Sequence, residues 1–170
     1  MTSYMVAGSQ AEKKSDNRIY VMKWSEMEKT TNEDEYDSDD SEAESKVKEP
    51  IIRFEQIPHK GSVNRIRTMN HSNVVATWNE DGEVGVYDIT PALEELDNPS
   101  QKKTAQKKVF SNCKLAGFKH QSEGYALEWS PSTFGRLASG NNDAQLNLYE
   151  SADATGSSFV KTSKAALSGH

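Results

Sequence analysis

The sequence predicts an all-β chain built from repeated units of four short antiparallel strands, on three observations. Two stretches, AT-W-NED-GEVGVYD and AS-G-NND-AQLNLYE, match each other at fixed offsets. Runs that alternate or cluster β-branched and aromatic side chains make up both stretches and their surroundings. Turn-forming Asn, Asp, Gly and Pro residues separate these runs. Self-similarity of this kind indicates units that stack and bury a continuous core between them.

The repeat keeps nearly constant intervals between four side chains. In the first unit, Thr77 lies four residues before Asp81, and Tyr87 lies six residues after it. A histidine opens each unit, 22 residues before the aspartate in the first and 23 in the second. The two matched sets are His59, Thr77, Asp81, Tyr87 and His120, Ser139, Asp143, Tyr149. Chance rarely produces four matched positions at this spacing, so we interpret the two stretches as a true repeat.

Each unit is expected to contribute three strands, and the segment before each histidine is expected to be the outer strand of the preceding unit. The expected strands are 63–69, 73–78 and 83–89, then 124–130, 136–140 and 144–150, with outer strands at 50–57 and 108–115. Pro91 is expected to begin a short helix over 92–96 in the connection. Four-stranded antiparallel units that repeat along a chain describe the blades of a β-propeller.

These units resemble WD repeats, whose pattern runs from Gly-His through an apolar strand to Ser/Thr, Asp and Trp-Asp. In that family the His, Ser/Thr, Asp and Trp form a buried, hydrogen-bonded tetrad that ties the strands of one blade together. The resemblance implies that the two matched sets are such structural tetrads. The chain departs from the pattern at Tyr87 and Tyr149, where the family has Trp, and at Pro58 and Lys119, where it has Gly.

A narrower resemblance covers nearly the whole chain. The run IPHKGSVNRIRTM, followed by HQSEGYALEWSPSTFGRLASG, resembles the histone-binding WD proteins of the retinoblastoma-associated and chromatin-assembly type. Together with IYVMKWSEMEKT and the acidic run after it, the chain is most similar to the glutamate-rich WD-repeat family of ribosome-assembly factors. A seven-bladed ring needs on the order of 300 residues. We therefore expect an incomplete propeller, a fragment with uncovered sheet faces and low stability.

The resemblance implies one partial blade and two fuller ones. Residues 1–27 are expected to supply strands b and c of the first blade, and 28–49 are expected to form an acidic disordered loop. Residues 50–89 are expected to supply the outer strand of the first blade and strands a to c of the second, and 90–107 are expected to form a connector. Residues 108–166 are expected to supply the outer strand of the second blade, the third blade and the following connection, and 167–170 the start of a further repeat.

An acidic run at 33–44 is the strongest candidate for contact with a partner. It contains no Lys or Arg and has eight carboxylates: Glu33, Asp34, Glu35, Asp37, Asp39, Asp40, Glu42 and Glu44. Without them the chain keeps 18 acidic against 20 basic residues, so the net charge of -6 is local to this run. Mutual repulsion favours an extended segment that attracts basic proteins and repels nucleic acid. The alternative interpretation is a solvated insertion that only keeps the protein soluble.

Two serines in the acidic run, Ser38 and Ser41, are followed by carboxylates, as acidophilic kinases require. They are candidate phosphorylation sites, and each phosphate would add about 1.5 to 2 negative charges.

Composition argues against catalysis. Cys113 is the only cysteine, which excludes an internal disulfide and a thiolate metal cluster. No phosphate-binding loop, nucleophile elbow or paired metal-ligand spacing occurs, and an active site needs one copy of a His, Asp and Ser/Thr set whereas a repeat explains two. We expect no enzyme, cofactor or metal site. No apolar run approaches the roughly 20 residues that span a bilayer, so no membrane partner is expected.

The expected function is therefore that of a binding scaffold. The favoured interpretation is a scaffold or chaperone that binds basic clients, either a ribosomal protein or histones. It is expected to work with ribosome-assembly factors in the nucleus and nucleolus. The alternative is a histone-binding subunit of chromatin-assembly or deacetylase complexes. A ligase adaptor is a third class, for which the sequence carries no degradation motif. Direct sequence-specific nucleic-acid binding is not expected.

Overall fold

A computed structural model describes residues 1–27, 49–99 and 110–162, which form three antiparallel sheets. The first sheet has three strands in the order β1-β2-β3, and the second and third sheets have four strands each. This arrangement confirms the predicted all-β class and is consistent with a partial propeller. No helix in these described ranges is long and apolar enough to span a membrane.

The first sheet is formed by β1 (Ser3–Gly8), β2 (Arg18–Ser25) and β3 (Ile51–Pro58). A single 3-10 turn at Lys14–Asp16 lies in the β1–β2 connection. The β2–β3 ladder runs without a bulge from Arg18 opposite Pro58 to Ser25 opposite Ile51. The ends of β2 and β3 are thus held together where the chain leaves for residues 28–48.

The second sheet contains the first repeat unit. It consists of β4 (Val63–Thr68), β5 (Val74–Asn79), β6 (Glu83–Asp88) and β7 (Lys114–Lys119), in that spatial order. Helix α1 (Thr90–Asp97) leaves the end of β6, with Pro91 in its first turn. All six residues of β5 are buried, as expected of a central strand covered on both faces.

The third sheet contains the second repeat unit. It consists of β8 (Gly124–Trp129), β9 (Leu137–Asn141), β10 (Leu146–Ser151) and β11 (Phe159–Lys161). The strands pair in the order β11-β10-β9-β8. The short strand β11 lies in a stretch that the sequence pattern assigned to a connection, because three residues are too few to show alternation.

One expected strand is displaced. The outer strand of the second sheet was expected at 108–115, but β7 begins only at Lys114. Phe110 and Cys113 are 5% and 3% exposed and belong to the core between the first and second sheets. The apolar residues that suggested a strand therefore fill the core before the ladder starts.

Two clusters of buried side chains join the sheets in sequence. One lies between the first and second sheets and includes Ile19, Val21 and Ile57 together with the buried face of α1. The other lies between the second and third sheets and includes Trp78 and Trp129. Neighbouring sheets thus bury apolar side chains between them, which is how stacked repeat units gain stability. Other large apolar side chains of the first and third sheets are exposed, among them Ile52 and Phe54 on β3 and Tyr125 on β8.

Candidate functional site

The acidic residues predicted to meet a partner lie outside the described part of the chain. This holds for the eight carboxylates of 33–44, for Ser38 and Ser41, and for the expected loop 28–49 except Glu49. The described residues give the attachment points, which are the paired ends of β2 at Ser25 and β3 at Ile51.

A polar cluster beside this attachment point fixes helix α1 to the first sheet. The Asp97 carboxylate at the end of α1 accepts a hydrogen bond from the Lys23 ammonium at 2.7 Å and another from the Tyr4 hydroxyl. The Lys23 ammonium also lies 5.7 Å from the centre of the Tyr4 ring. Hydrogen bonds from Lys23 and Tyr4 lower the pKa of Asp97. These contacts tie the end of α1 to β2 next to the point where the chain leads into 28–48.

The histidine of the first repeat unit lies in a hydrogen-bonded chain. His59 Nδ1 is 2.8 Å from the Gly61 carbonyl, which can only accept, so Nδ1 carries the proton. His59 Nε2 then accepts from the Thr77 hydroxyl at 3.1 Å. The Tyr87 ring lies beside this pair, with its centre 5.7 Å from that of the His59 ring. The structure thus brings together His59, Thr77 and Tyr87 from three parts of one blade.

Burial sets the charge states in this cluster. Desolvation lowers the pKa of His59 and raises that of Tyr87, so both are neutral at physiological pH. Gly85 leaves space for the pair, because a Cβ there would lie 2.6 Å from the Tyr87 ring and 3.1 Å from the Thr77 hydroxyl. A neutral, fully bonded histidine is tolerable inside a protein, whereas a charged one without a partner is not.

The second repeat unit forms a corresponding cluster with one added member. His120 Nε2 lies 2.9 Å from both the Ser139 and Tyr149 hydroxyls, which are themselves 3.1 Å apart. The Asn147 amide nitrogen lies 3.1 Å from His120 Nδ1. Burial lowers the pKa of His120 to about 4, with a smaller contribution from Lys161. Asn147 occupies the position that Gly85 holds in the first unit.

The two aspartates of the expected tetrads lie elsewhere, which corrects that part of the prediction. Asp81 forms an ion pair with Lys14, and the Lys14 hydrogen bond lowers the pKa of Asp81. Asp143 is exposed in the β9–β10 turn. The physical reason in the first unit is that His59 Nδ1 is already satisfied by a backbone carbonyl. In the second unit the Asn147 amide nitrogen lies against the His120 ring, 3.1 Å from Nδ1 and 3.2 Å from Nε2. The aspartate spacing marks a turn shared by the two units.

Sequence reasoning missed the residue that closes each of these turns. Asn79 Oδ1 accepts from the Glu83 amide at 2.8 Å, and Asn141 Oδ1 accepts from the Gln145 amide at 2.9 Å. Both asparagines stand two residues before the repeat aspartate. Their identity in NED and NND was the available signal, and Asn commonly bonds its own backbone in turns.

The clusters offer little for catalysis. In the ranges the structure describes, no group of three or more His, Cys, Asp or Glu side chains converges as metal ligands would. The ring nitrogens of His59 and His120 lie within hydrogen-bonding distance of protein groups. The Thr77 and Ser139 hydroxyls are buried. These groups connect strands within the blades.

Three curated proteins are about one third identical to the chain, and one of them is named for its WD repeats. Glutamate-rich WD repeat-containing protein 1 of Dictyostelium discoideum is 36% identical over 99% of the chain and 36% of its own length. Ribosome assembly protein rrb1 of Schizosaccharomyces pombe is 36% identical over 85% of the chain and 30% of its own length. Histone acetyltransferase type B subunit 2 of Aspergillus fumigatus is 35% identical over 70% of the chain and 27% of its own length.

The chain spans about a third of the length of these relatives. No protein-family model matches it. Among solved structures, the WD40 domain of Toxoplasma gondii coronin has a TM-score of 0.52 at 14% identity and covers 95% of the chain and 33% of that domain's chain. This likeness supports the fold. The named relatives show that the chain is a homologue of WD-repeat proteins, and the repeats and three sheets agree with that fold.

Proposed function

We propose that this chain is part of a non-enzymatic scaffold that binds basic proteins, with the acidic run at 33–44 as the capturing element. The observation that carries the proposal is the local charge: eight carboxylates without a single Lys or Arg, attached to the paired ends of β2 and β3. A dense negative segment attached to two paired strand ends attracts positively charged clients over roughly one Debye length, about 8 to 10 Å at physiological salt.

Two sets of buried residues support the scaffold role. The clusters around His59 and His120 use their hydrogen-bonding groups to join strands of one blade, so we assign them a structural role. Neither catalysis nor a cofactor is part of this proposal.

The names of the relatives favour a client in ribosome assembly. One similar protein is named a ribosome assembly protein, and the relative that aligns with almost the whole chain is named glutamate-rich. We propose a ribosomal protein as the client, ribosome-assembly factors as further partners, and the nucleus and nucleolus as the place of action. We expect no membrane partner and no sequence-specific nucleic-acid binding. Phosphorylation of Ser38 and Ser41 would increase the negative charge of the run.

Deletion of 33–44 tests the proposal. Affinity for a purified basic ribosomal protein is measured by fluorescence anisotropy for the chain and the deletion variant, at low and at high salt. We expect the deletion to weaken binding strongly at low salt and to have less effect at high salt, because screening already removes the attraction. Equal affinity of both proteins at low salt would refute the capturing role.

A second candidate function is a histone-binding subunit of chromatin-assembly or deacetylase complexes. Similarity to a protein named histone acetyltransferase type B subunit 2 favours it. Affinity capture with the tagged chain from nuclear extract separates the two. Ribosomal proteins with assembly factors support the first, and histones with chromatin-assembly or deacetylase subunits support the second.

A further inference from the structure

A groove of about 550 Å³ lies between the first sheet, helix α1 and the β4–β5 turn. Its floor is apolar and is formed by Val6 and Val21 from the first sheet and by Ile89 and Leu93 at the start of α1. Val21 and Ile89 belong to the core beneath, with exposed fractions of 0% and 5%. Leu93 is half-buried, so part of its side chain is free for contact with a partner.

The rim of the groove is acidic on the helix side. Glu94 is exposed, and its carboxylate has no ion pair or hydrogen-bond partner within the described ranges. Asp97, the other acidic residue of the rim, is ion-paired with Lys23 and accepts a hydrogen bond from the Tyr4 hydroxyl. Glu94 therefore supplies the uncompensated charge at this edge.

The groove and the acidic run share one anchoring region. Lys23, which holds the end of α1 through Asp97, lies two residues before Ser25, where β2 ends and the chain leads into 28–48. One edge of the groove therefore lies next to the point where the chain leads into 28–48.

We propose that this groove docks a short basic segment of the captured client, with one large apolar side chain on the floor and a neighbouring Lys or Arg at Glu94. The inference rests on the proposed function and adds a contact of defined shape to the general attraction of the acidic run. Apolar burial favours a Leu, Ile or Phe side chain in the floor, and the carboxylate at the rim excludes an acidic neighbour. A purely apolar segment would leave Glu94 beside a surface without a counter-charge.

Three labelled peptides and two variants test this. The probe peptide has one leucine flanked on each side by lysines, and its two controls carry serine for leucine or glutamate for every lysine. The variants are Glu94→Lys in the groove and Glu12→Lys, an equal charge change at an exposed residue of the β1–β2 turn, at the other end of the first sheet. Binding is measured by fluorescence anisotropy with the whole chain, after thermal melting has shown that both variants fold.

We expect Glu94→Lys to weaken binding of the leucine-lysine peptide about fivefold or more relative to Glu12→Lys, which corresponds to roughly 1 kcal/mol. The serine peptide should bind both variants with similar, weak affinity. Equal effects of the two variants, or equal binding of the serine and leucine peptides, would overturn the groove. If the deletion of 33–44 still weakens client binding in that case, the proposed function stands without the groove.

Discussion

Trp78 and Trp129 join the second and third sheets through a reciprocal pair of indole hydrogen bonds. Trp78 on β5 donates from Nε1 to the Ala126 carbonyl on β8 at 2.9 Å, and Trp129 on β8 donates to the Arg67 carbonyl on β4 at 3.1 Å. Trp78 is completely buried and also lies against His120, with ring centres 4.5 Å apart. Blade contact and the histidine cluster are therefore one continuous structure.

Replacing Trp78 by Phe should destabilise the chain. The change removes an indole donor and leaves a small cavity at a fully buried site, and we expect a loss of about 2 kcal/mol in the free energy of unfolding. The measurement is urea denaturation followed by circular dichroism.

Trp24→Phe, at a half-buried position, is the control for loss of the indole donor. The Trp24 indole nitrogen is buried but has no hydrogen-bond partner in the described ranges, so its removal sacrifices no bond. We expect a change of less than about 1 kcal/mol. A loss as large as that of Trp78→Phe would show that ring volume, and not the hydrogen bond, explains the effect.

The cluster around His120 should be sensitive to Tyr149→Phe and insensitive to Asp143→Asn. The tyrosine hydroxyl bonds both His120 and Ser139, and its loss leaves buried polar atoms with fewer partners, at a cost of about 1 to 2 kcal/mol. Asp143 is exposed, so its substitution should leave the melting temperature nearly unchanged. A large fall in melting temperature for Asp143→Asn would indicate that Asp143 belongs to the tetrad after all, and would contradict its exposed position in the β9–β10 turn.

The sequence predicts which residues form the histidine clusters better than it predicts their hydrogen bonds. Fixed spacing located the histidines, the hydroxyl residues and the tyrosines, because a repeat keeps equivalent side chains on equivalent strands. Spacing does not reveal hydrogen-bond partners, and Asp81 and Asp143 are therefore where prediction and structure differ. The role of Asn147 was not predictable from the repeat because its equivalent is Gly85, so the two units solve the same packing problem differently.

Stability should fall as the pH is lowered from about 6.5 toward 4. His59 and His120 both have lowered pKa values in the folded chain, that of His120 being about 4. The unfolded chain therefore binds protons at a higher pH than the folded chain does, so the stabilisation is complete above the ordinary histidine pKa and is lost below it. For His120 the shift to about 4 corresponds to at most roughly 3 kcal/mol, and solvent screening at this partly buried side chain reduces the loss.

Thermal melting at constant ionic strength between pH 7.5 and 4.5 provides the measurement. His120→Gln should reduce the pH dependence in this window. The ion-paired Asp97 has a lowered carboxylate pKa. Its stabilising contribution is therefore constant across this window and is lost only below the ordinary aspartate pKa. Stability that is constant or rises on acidification to pH 5 would contradict buried neutral histidines.

Gly85→Ala should be strongly destabilising, although replacing a glycine within a strand by alanine usually increases stability. A Cβ at this position would lie 2.6 Å from the Tyr87 ring and 3.1 Å from the Thr77 hydroxyl, and the Tyr87 side chain is only 5% exposed, so its ring has little room to move. We expect a loss of about 2 kcal/mol, within the range for overpacked cores. Gly140→Ala, where the nearest contact would be 3.2 Å from the Ala126 side chain, is the control and should cost less.

The same limit of sequence reasoning applies to strand positions. The central strand β5 was predictable because its apolar and β-branched residues are buried on both faces, and β9 and β10 because buried and less buried residues alternate along them. The outer strand β7 was misplaced because Phe110 and Cys113 have the composition of a strand but serve as core residues before it. The groove beside α1 depends on residues brought together from two sheets and a helix, which no local pattern indicates.

The most direct test of the central claim is the salt dependence of affinity for a basic ribosomal protein. Three forms are compared: the chain itself, a form with all eight carboxylates of 33–44 changed to Asn or Gln, and a form with the order of residues in 33–44 scrambled. If charge captures the client, the neutral form binds weakly with a shallow salt dependence, and the scrambled form behaves like the unaltered chain. Equal affinity and equal salt dependence of the neutral form and the unaltered chain would contradict the account.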